Sequence, residues 1–252
     1  MRVIAVIPAR MASSRFPGKP LVDICGKTMI EHVWRRVCLN ANITSVYIAT
    51  CDKEIRSAAE GFGARVIMTS DKHVRCMDRI AEACLKLKEE EKDFDIVLNV
   101  QGDEPLLNPV TLDLLIKSFC GDEFVTCVNL IETLDTKAEV ENHNNVKVVF
   151  DQRDYALFFS RQPIPDGFRN KHYKQLGAYG LTKEAILKYP GMKQGPLEIA
   201  ESDDMLRFVE HGIPVKVVLS PYKTDGVDTK NDYTKVCSLM EKDEIFEKYK
   251  SL

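Results

Sequence analysis

Three cationic side chains stand close together in the loop that follows the first apolar segment of the chain. Arg10, Arg15 and Lys19 fall within ten residues, and Gly18 precedes Lys19. A row of phosphate groups is bound well by forked guanidinium donors and by a lysine charge. It is also bound by backbone N–H groups that can approach the oxygens closely. The spacing G-x-x-x-x-G-K-[ST] of a Walker A loop is absent. The loop therefore predicts a triphosphate site, with an ordinary solvated basic loop as the alternative.

Two aspartates that are distant in the sequence could hold the metal ion that accompanies a triphosphate. Asp103 follows Gly102 after a predicted strand, and Asp228 follows Gly226 in another short loop. Mg²⁺ takes few protein carboxylates and completes its coordination with phosphate oxygens and water. Aspartate near glycine is also common in plain turns. Each aspartate is thus either a metal ligand or a turn residue, and no pattern marks a covalent nucleophile.

The elements that must position these residues alternate between short apolar strands and amphipathic helices. The periodicity predicts strands at 3–7, 45–50, 65–68 and 95–100, with helices at 29–37, 55–62 and 78–87. Such alternation is typical of a doubly wound α/β fold with a mostly parallel sheet. Ligands of these sheets bind beyond the carboxyl ends of the strands, where both loops lie.

The second half of the chain is more mixed. Its patterns predict strands at 146–150, 155–160, 175–181 and 214–219, and helices at 183–189, 200–211 and 232–250. Repeats, low-complexity tracts and linkers are absent from the sequence. We therefore predict one domain, residues 1–252, with an inserted sub-region at about 129–180.

Composition excludes several classes of protein. The formal net charge of −3 does not indicate a nucleic-acid or membrane-surface protein. No apolar stretch reaches the roughly 18 residues that a membrane span needs, and no signal-peptide cleavage site follows the first strand. The eight cysteines are scattered, which is typical of free thiols in a reducing compartment. We expect a cytoplasmic protein that binds neither nucleic acid nor membrane.

Six motifs extend this interpretation along nearly the whole chain. They occupy residues 7–21, 29–34, 99–106, 146–149, 156–165 and 226–229. In this order they resemble the signature of the 3-deoxy-manno-octulosonate (Kdo) cytidylyltransferases, also called CMP-Kdo synthetases. The resemblance implies a nucleotide-diphospho-sugar transferase-like fold with a small β-rich dimerisation excursion. It also implies an Mg²⁺-dependent homodimer that couples CMP from CTP to an acidic keto-sugar and releases pyrophosphate, for bacterial lipopolysaccharide or capsule synthesis.

The resemblance also assigns roles to individual residues. It implies a catalytic set of Arg10, Lys19, Asp103 and Asp228, in which the two aspartates are the metal ligands. It implies a nucleotide-binding set of Ala9, Arg10, Ser13, Arg15, Lys19, Asp78, Arg79 and Gln101. It implies a sugar-binding set of Arg161, Gln175, Tyr179, Glu201, Asp203 and Asp204.

Three segments depart from the family pattern. Residues 75–77, before Asp78, are Arg-Cys-Met where the family has Ser-Gly-Thr. Gln175 stands where the family has a histidine. Asp203 and Met205 stand where it has a leucine and a glutamine. New negative charge in a site for an acidic sugar is consistent with an amino-substituted Kdo, whose ammonium group would pair with Asp203 or Asp204. Asp203 is the preferred partner, because it replaces an apolar residue and is the larger chemical change. Plain Kdo with neutral substitutions, another keto-deoxy acid such as a nonulosonate, and a non-catalytic nucleotide-binding relative remain alternatives.

Overall fold

The computed structural model describes residues 1–12, 15–121, 124–168 and 171–252. The strands are β1 (Val3–Ala9), β2 (Asp23–Ile24), β3 (Lys27–Thr28), β4 (Ser45–Thr50), β5 (Arg65–Met68), β6 (Ile96–Val100), β7 (Cys127–Leu134), β8 (Lys147–Phe150), β9 (Ala156–Ser160), β10 (His172–Thr182) and β11 (Lys216–Leu219). The helices are α1 (Met29–Cys38), α2 (Lys53–Gly61), α3 (Cys76–Lys86), α4 (Thr111–Ser118), α5 (Lys137–Glu141), α6 (Lys183–Lys188), α7 (Pro196–Glu201), α8 (Met205–Glu210), α9 (Lys230–Met240) and α10 (Glu244–Glu247).

A central sheet in the order β11-β7-β10-β6-β1-β4-β5 organises these elements. β1 pairs in parallel with β4 and β6, β4 with β5, and β11 with β7, whereas β10 runs antiparallel to both of its neighbours in this order. Every strand along this path except β10 therefore runs in one direction. The predicted mostly parallel α/β sheet is confirmed.

Both faces of the sheet are covered, because alternate residues of a strand point to opposite sides. Val3, Ala5 and Ile7 belong to an apolar core with residues of α1, α2 and α4. Ile4 and Val6 belong to a second core with residues of α3, α6 and α8. These two cores make the fold doubly wound and place the carboxyl ends of β1 and β6 side by side.

The predicted inserted sub-region contains two strands of the central sheet at its ends. β7 and β10 pair with each other there, and α5, β8 and β9 lie between them in the chain. β8 pairs with β10 and with β9, which extends the sheet on one side. None of the helices among the described residues is long and apolar enough to cross a membrane.

Two predicted helices are wrong as single elements. Ser202 adopts a left-handed backbone conformation with φ of 57°, which ends α7 before α8 begins. Asp243 accepts a hydrogen bond from the Phe246 amide and starts α10 separately from α9. The local apolar pattern is compatible with helix on either side of both breaks, so periodicity alone does not reveal them. The strand β7 and the helices α4 and α5 were not predicted at all.

Candidate active site

A cavity of about 610 Å³ opens at the carboxyl ends of β1 and β6. Its walls come from the loop after β1, the loop after β6, the start of α3, β10, the segment between α7 and α8, and the loop before α9. The predicted site residues that line it are Ala9, Arg10, Arg15, Lys19, Arg79, Gln101, Asp103, Arg161, Gln175, Tyr179, Asp203, Asp204 and Asp228. Ser13 lies outside the described residues.

The ammonium of Lys19 joins the two predicted metal ligands at one end of the cavity. Its Nζ donates to Asp103 Oδ2 at 2.6 Å, to Asp228 Oδ1 at 3.3 Å and to the carbonyl oxygen of Val227 at 2.9 Å. Burial by itself would lower the pKa of Lys19, but the two carboxylates raise it above its ordinary value. Lys19 therefore stays charged, and residues 84 and 209 positions away converge on it. We call Lys19, Asp103 and Asp228, with Arg10 and Arg15 beside them, the phosphate end.

Close backbone packing holds the two aspartate loops together. The Val227 amide donates to the Asp103 carbonyl at 2.9 Å. A Cβ atom on Gly102 would lie 3.0 Å from the Pro8 carbonyl oxygen, so a side chain there would press on the end of β1. Next to Asp228, the Thr229 hydroxyl caps α9 in a capping box with Asp232. The glycine and the helix cap thus set where each carboxylate points.

The donor set at the phosphate end fits a hard divalent cation. One oxygen of each aspartate reaches the same ammonium, so a positive centre can be shared between both carboxylates. Among the described residues, no cluster of three or more His, Cys, Asp and Glu side chains could hold a metal ion. A site of two carboxylates matches Mg²⁺, which takes its remaining ligands from phosphate and water.

Arg15 connects the phosphate end to the opposite wall of the cavity. Its Nη2 donates to Asp228 Oδ1 at 2.8 Å, and its Nη1 donates to Asn144 Oδ1 at 2.6 Å. Arg10 is exposed and lines the cavity beside it. The predicted triphosphate loop therefore brings Arg15 and Lys19 onto the two carboxylates, and Arg10 lines the same cavity.

Asp78 and Arg79 separate in space although they are adjacent in the chain. Arg79 is buried, lines the cavity, and donates to the Thr69 hydroxyl and to the Ser70 carbonyl. The Asp78 carboxylate instead accepts from Arg207 at 3.1 Å and, in the described part of the chain, is not among the cavity-lining residues. Of this pair, Arg79 faces the cavity and Asp78 does not.

The other end of the cavity carries a buried hydrogen-bonded chain. The Asp204 carboxylate accepts from Cys76 Sγ at 2.9 Å and from the Met77 amide at 3.1 Å. Cys76 Sγ also lies 2.9 Å from the Tyr179 hydroxyl. Asp203 accepts from the Met205 amide at 2.9 Å and lines the same wall. We call Asp203, Asp204, Cys76, Tyr179 and the nearby Arg161 the acceptor end.

Burial makes the two carboxyl groups at the acceptor end difficult to ionise together. Loss of water, followed by the charge of Asp204, raises the pKa of Asp203 to about 7. Burial also raises the pKa of Asp204 above its ordinary value. Arg75 approaches Asp204 at 3.8 Å, but it lies equally far from the Glu198 carboxylate and donates to Ser202 and to the Glu198 carbonyl. An added cation at this end would favour ionisation of both carboxylates.

Glu201 holds Arg161 and is not one of the described residues that line the cavity. Its carboxylate accepts from the Arg161 amide at 2.8 Å and from the Ser160 hydroxyl at 3.0 Å. Its carbonyl accepts from Arg161 Nε at 2.9 Å. Gln175, the residue in the family's histidine position, lines the cavity and donates to Asn129 Oδ1 at 2.6 Å.

Several cavity residues were missed by the sequence interpretation. They are His73, Glu104, Glu139, Asn142, Asn144, Asn145 and Lys174. Glu104 has a pKa raised to about 7, first by burial and then by Asp103. It directly follows Asp103, and the polar run 142–145 directly precedes the 146–149 motif. For Glu104 and for residues 142–145, the position next to a recognised motif is the sequence feature that could have indicated a place in the site.

Comparison with known proteins identifies the class to which this fold and site belong. The profile of a family described as cytidylyltransferase matches residues 4–217. The chain therefore belongs to the cytidylyltransferase family.

Two curated relatives and one solved structure are similar over nearly their whole lengths. The 8-amino-3,8-dideoxy-manno-octulosonate cytidylyltransferase of Shewanella sp. (strain ANA-3) is 42% identical over 240 residues, which cover 93% of this chain and 97% of the relative. The 3-deoxy-manno-octulosonate cytidylyltransferase of Geotalea uraniireducens (strain Rf4) is 39% identical over 257 residues, which cover 96% and 100%. A CMP:2-keto-3-deoxy-manno-octonic acid synthetase solved in complex with CTP is 35% identical, with a TM-score of 0.88 over 96% of this chain and 99% of that one.

Proposed function

We propose that this protein transfers CMP from CTP to an amino-substituted Kdo and releases pyrophosphate. The observation that carries the transferase assignment is the convergence of Lys19, Asp103 and Asp228 at the strand ends of a chain in the cytidylyltransferase family. The similar synthetase solved with CTP supports the choice of nucleotide. The similar Shewanella enzyme, whose acceptor carries an amino group, supports the choice of sugar.

The chemistry is a direct displacement at phosphorus. The anomeric hydroxyl of the sugar forms a bond to the α-phosphorus, the bond to the pyrophosphate oxygen breaks, and the hydroxyl proton is released. Such reactions depend on positioning and on stabilising the charge that grows on the oxygens. Arg10, Arg15 and Lys19 are placed to bind phosphate oxygens. Mg²⁺ held by Asp103 and Asp228 would neutralise phosphate charge.

Two features of the acceptor end support an amino-sugar. Asp203 and Asp204 are adjacent, are buried and line the cavity, and Asp203 puts a carboxyl group in place of the apolar residue expected from the family. A protonated amine between them would replace the repulsion of two carboxylates by attraction. Arg161, at the same wall, is the candidate partner of the sugar carboxylate, since guanidinium and carboxylate groups match geometrically.

Pyrophosphate release measured with a panel of nucleotides and keto-deoxy acids tests the proposal. CTP should exceed ATP, GTP and UTP, and the amino-substituted Kdo should exceed plain Kdo in kcat/KM. Turnover with ATP or UTP as fast as with CTP would contradict the nucleotide assignment. Equal or better use of Kdo, or of a nonulosonate, would contradict the acceptor. CTP binding without turnover on any sugar would identify a non-catalytic relative.

The proposal includes a cytoplasmic homodimer that acts in bacterial surface polysaccharide synthesis. β9 pairs only with β8 among the described strands, its first amide donates to the Val215 carbonyl, and Leu157 further along it is 60% exposed. An exposed apolar residue on an edge strand favours pairing with a second copy. Light scattering of the wild type and of Leu157→Lys, with Leu85→Lys on α3 as an exposed control, checks the dimer: only the first variant should dissociate it.

A further inference from the structure

Lys147 is a fully buried lysine beneath the cavity wall. Its relative exposure is 0%. Its ammonium donates to the carbonyl oxygens of Asn142 at 3.0 Å, Asn145 at 2.6 Å and Arg161 at 2.5 Å. A lysine ammonium has three N–H donors and no acceptor, so these three carbonyls match it fully. The partners that surround this ammonium are backbone carbonyls, whereas buried lysines are usually paired with carboxylates.

The first two carbonyls belong to the turn at residues 142–145, which connects both ends of the cavity. Asn144 Oδ1 accepts from Arg15 of the triphosphate loop at 2.6 Å. The His143 carbonyl accepts from Arg161 Nη1 at 3.3 Å. Asn142, Asn144 and Asn145 all line the cavity. A displacement of this turn would therefore move a support of Arg161.

The third carbonyl belongs to Arg161 itself. Its amide and its Nε are held by the carboxylate and the carbonyl of Glu201 at 2.8 and 2.9 Å. Its own carbonyl is held by Lys147 from the other side. The guanidinium is thus aimed by contacts on its backbone as well as on its side chain. Forked recognition of a carboxylate requires such aim.

We propose that Lys147 is a positioning residue for the sugar acid: its ammonium holds the 142–145 turn and the Arg161 backbone so that the Arg161 guanidinium meets the substrate carboxylate. This inference rests on the proposed function. The 146–149 motif by itself gives Lys147 no role. Lys147 is not among the described residues that line the cavity, and in this proposal it acts through the 142–145 turn and Arg161.

The role of Lys147 depends on its protonation. Burial first, and then the positive charge of Arg161, lower the pKa of Lys147 to about 8, while Glu201 opposes the shift. Lys174, which is opposite Lys147 in the β8–β10 pairing, directs its own charge to Glu132 at 3.0 Å. A neutral amine has only two N–H donors. Above about pH 8, one of the three carbonyls therefore loses its partner.

The test compares Lys147→Met and Lys147→Arg with the wild type in steady-state kinetics and in equilibrium titration with the sugar acid. Lys147→Met should raise the acceptor KM about tenfold and change the CTP KM less than about twofold, because a lost charged hydrogen bond is worth about that factor. The acceptor KM of Lys147→Arg, which keeps the charge, should lie between those of the wild type and Lys147→Met. Lys183→Met is the matched control, since Lys183 donates to the Lys92 carbonyl far from the cavity; it should change neither KM.

The pH profile separates positioning from plain structural support. The wild-type acceptor KM, measured with plain Kdo to avoid a titrating substrate amine, should rise above about pH 8, and this rise should be absent in Lys147→Arg. The wild-type profile is informative even if a variant fails to fold. A flat wild-type profile, or equal rises of both KM values in a folded Lys147→Met, would overturn the inference. A wild type inactive with CTP and every sugar acid would instead overturn the proposed function.

Discussion

The two ends of the cavity solve opposite electrostatic problems. At the phosphate end, Lys19, Asp103 and Asp228 are 13%, 24% and 33% exposed, and cations and carboxylates balance each other. At the acceptor end, Asp203 and Asp204 are 6% and 9% exposed, and burial keeps the pKa values of both raised although Arg161 and Arg75 oppose the shift. The first arrangement suits a ligand that brings both a metal and phosphates. The second suits a ligand that brings a cation.

The difference also affects how each end tolerates substitution. Water reaches the phosphate end, so a change of charge there alters catalysis more than folding. The acceptor end is a buried network in which each group has a partner, and its effects on substrate choice arise from desolvated charge. Under the proposed function, specificity between similar sugars would depend on a few buried groups, and turnover on the partly exposed groups of the phosphate end.

The largest effect that we expect is at the phosphate end. Asp103→Asn keeps the shape of the side chain but removes one of the two candidate metal ligands. The turnover number should fall about 10²- to 10³-fold, the usual loss when a preorganised electrostatic contact is removed. The free energy of unfolding should change by about 1 kcal/mol or less, because Lys19 keeps Asp228 and the Val227 carbonyl as partners.

Asp135→Asn is the matched control for that variant. Asp135 is exposed, pairs with Lys223 at 2.5 Å and is not among the described cavity residues. Its replacement should leave turnover unchanged. Near-normal activity of Asp103→Asn at ordinary Mg²⁺ concentration would show that Asp103 is not a metal ligand. It would also contradict the assignment of the metal to the phosphate end.

An intermediate effect is expected from Asp203→Asn at the acceptor end. The amide oxygen can still accept from the Met205 amide, so the variant removes the charge and alters the side-chain contact with Gln175. The preference for the amino-sugar over plain Kdo should shrink about tenfold, the worth of a charged relative to a neutral hydrogen bond. Asp78→Asn, whose carboxylate points to Arg207, should leave that preference unchanged.

Thermal unfolding of Asp203→Asn sharpens the same point. The pKa of Asp203 is raised to about 7 in the folded protein, so its ionisation opposes folding as the pH rises above the ordinary aspartate value. The variant should therefore be as stable as the wild type, or more stable, at about pH 8. A clear loss of stability together with an unchanged sugar preference would show that Asp203 is a structural residue.

The smallest effect concerns pH. Below about pH 7 the Asp203 carboxyl takes up a proton and loses its attraction for an amine, which stays protonated in this range. The wild-type ratio of kcat/KM for amino-sugar to plain sugar should fall about fivefold between about pH 8 and about pH 6. Asp203→Asn should abolish most of this dependence. A ratio that rises on acidification would contradict the assigned ammonium partner.

The sequence by itself determined the α/β class, the first four strands of the central sheet and the position of the loop proposed to bind phosphate. These features are local: apolar periodicity specifies a buried strand, and the loop directly after it must lie at the carboxyl edge of the sheet. The motif resemblance favoured a metal-ligand role for Asp103 and Asp228, which the residues alone left open between ligand and turn residue. Their meeting at Lys19 stayed an expectation at that level, because no local pattern links residues more than a hundred positions apart.

Only the tertiary structure decided which neighbouring residues face the cavity. Asp78 points to Arg207 while Arg79 lines the cavity, and Glu201 holds Arg161 instead of lining the cavity itself. Ser202, where the predicted helix breaks, likewise has a distant partner, since Arg75 donates to its hydroxyl at 2.5 Å. The sequence places Lys147 in a predicted strand and in the 146–149 motif. Only the structure shows that its ammonium donates to the carbonyls of Asn142, Asn145 and Arg161. Such contacts arise from how elements pack, and side-chain periodicity along one element carries no information about them.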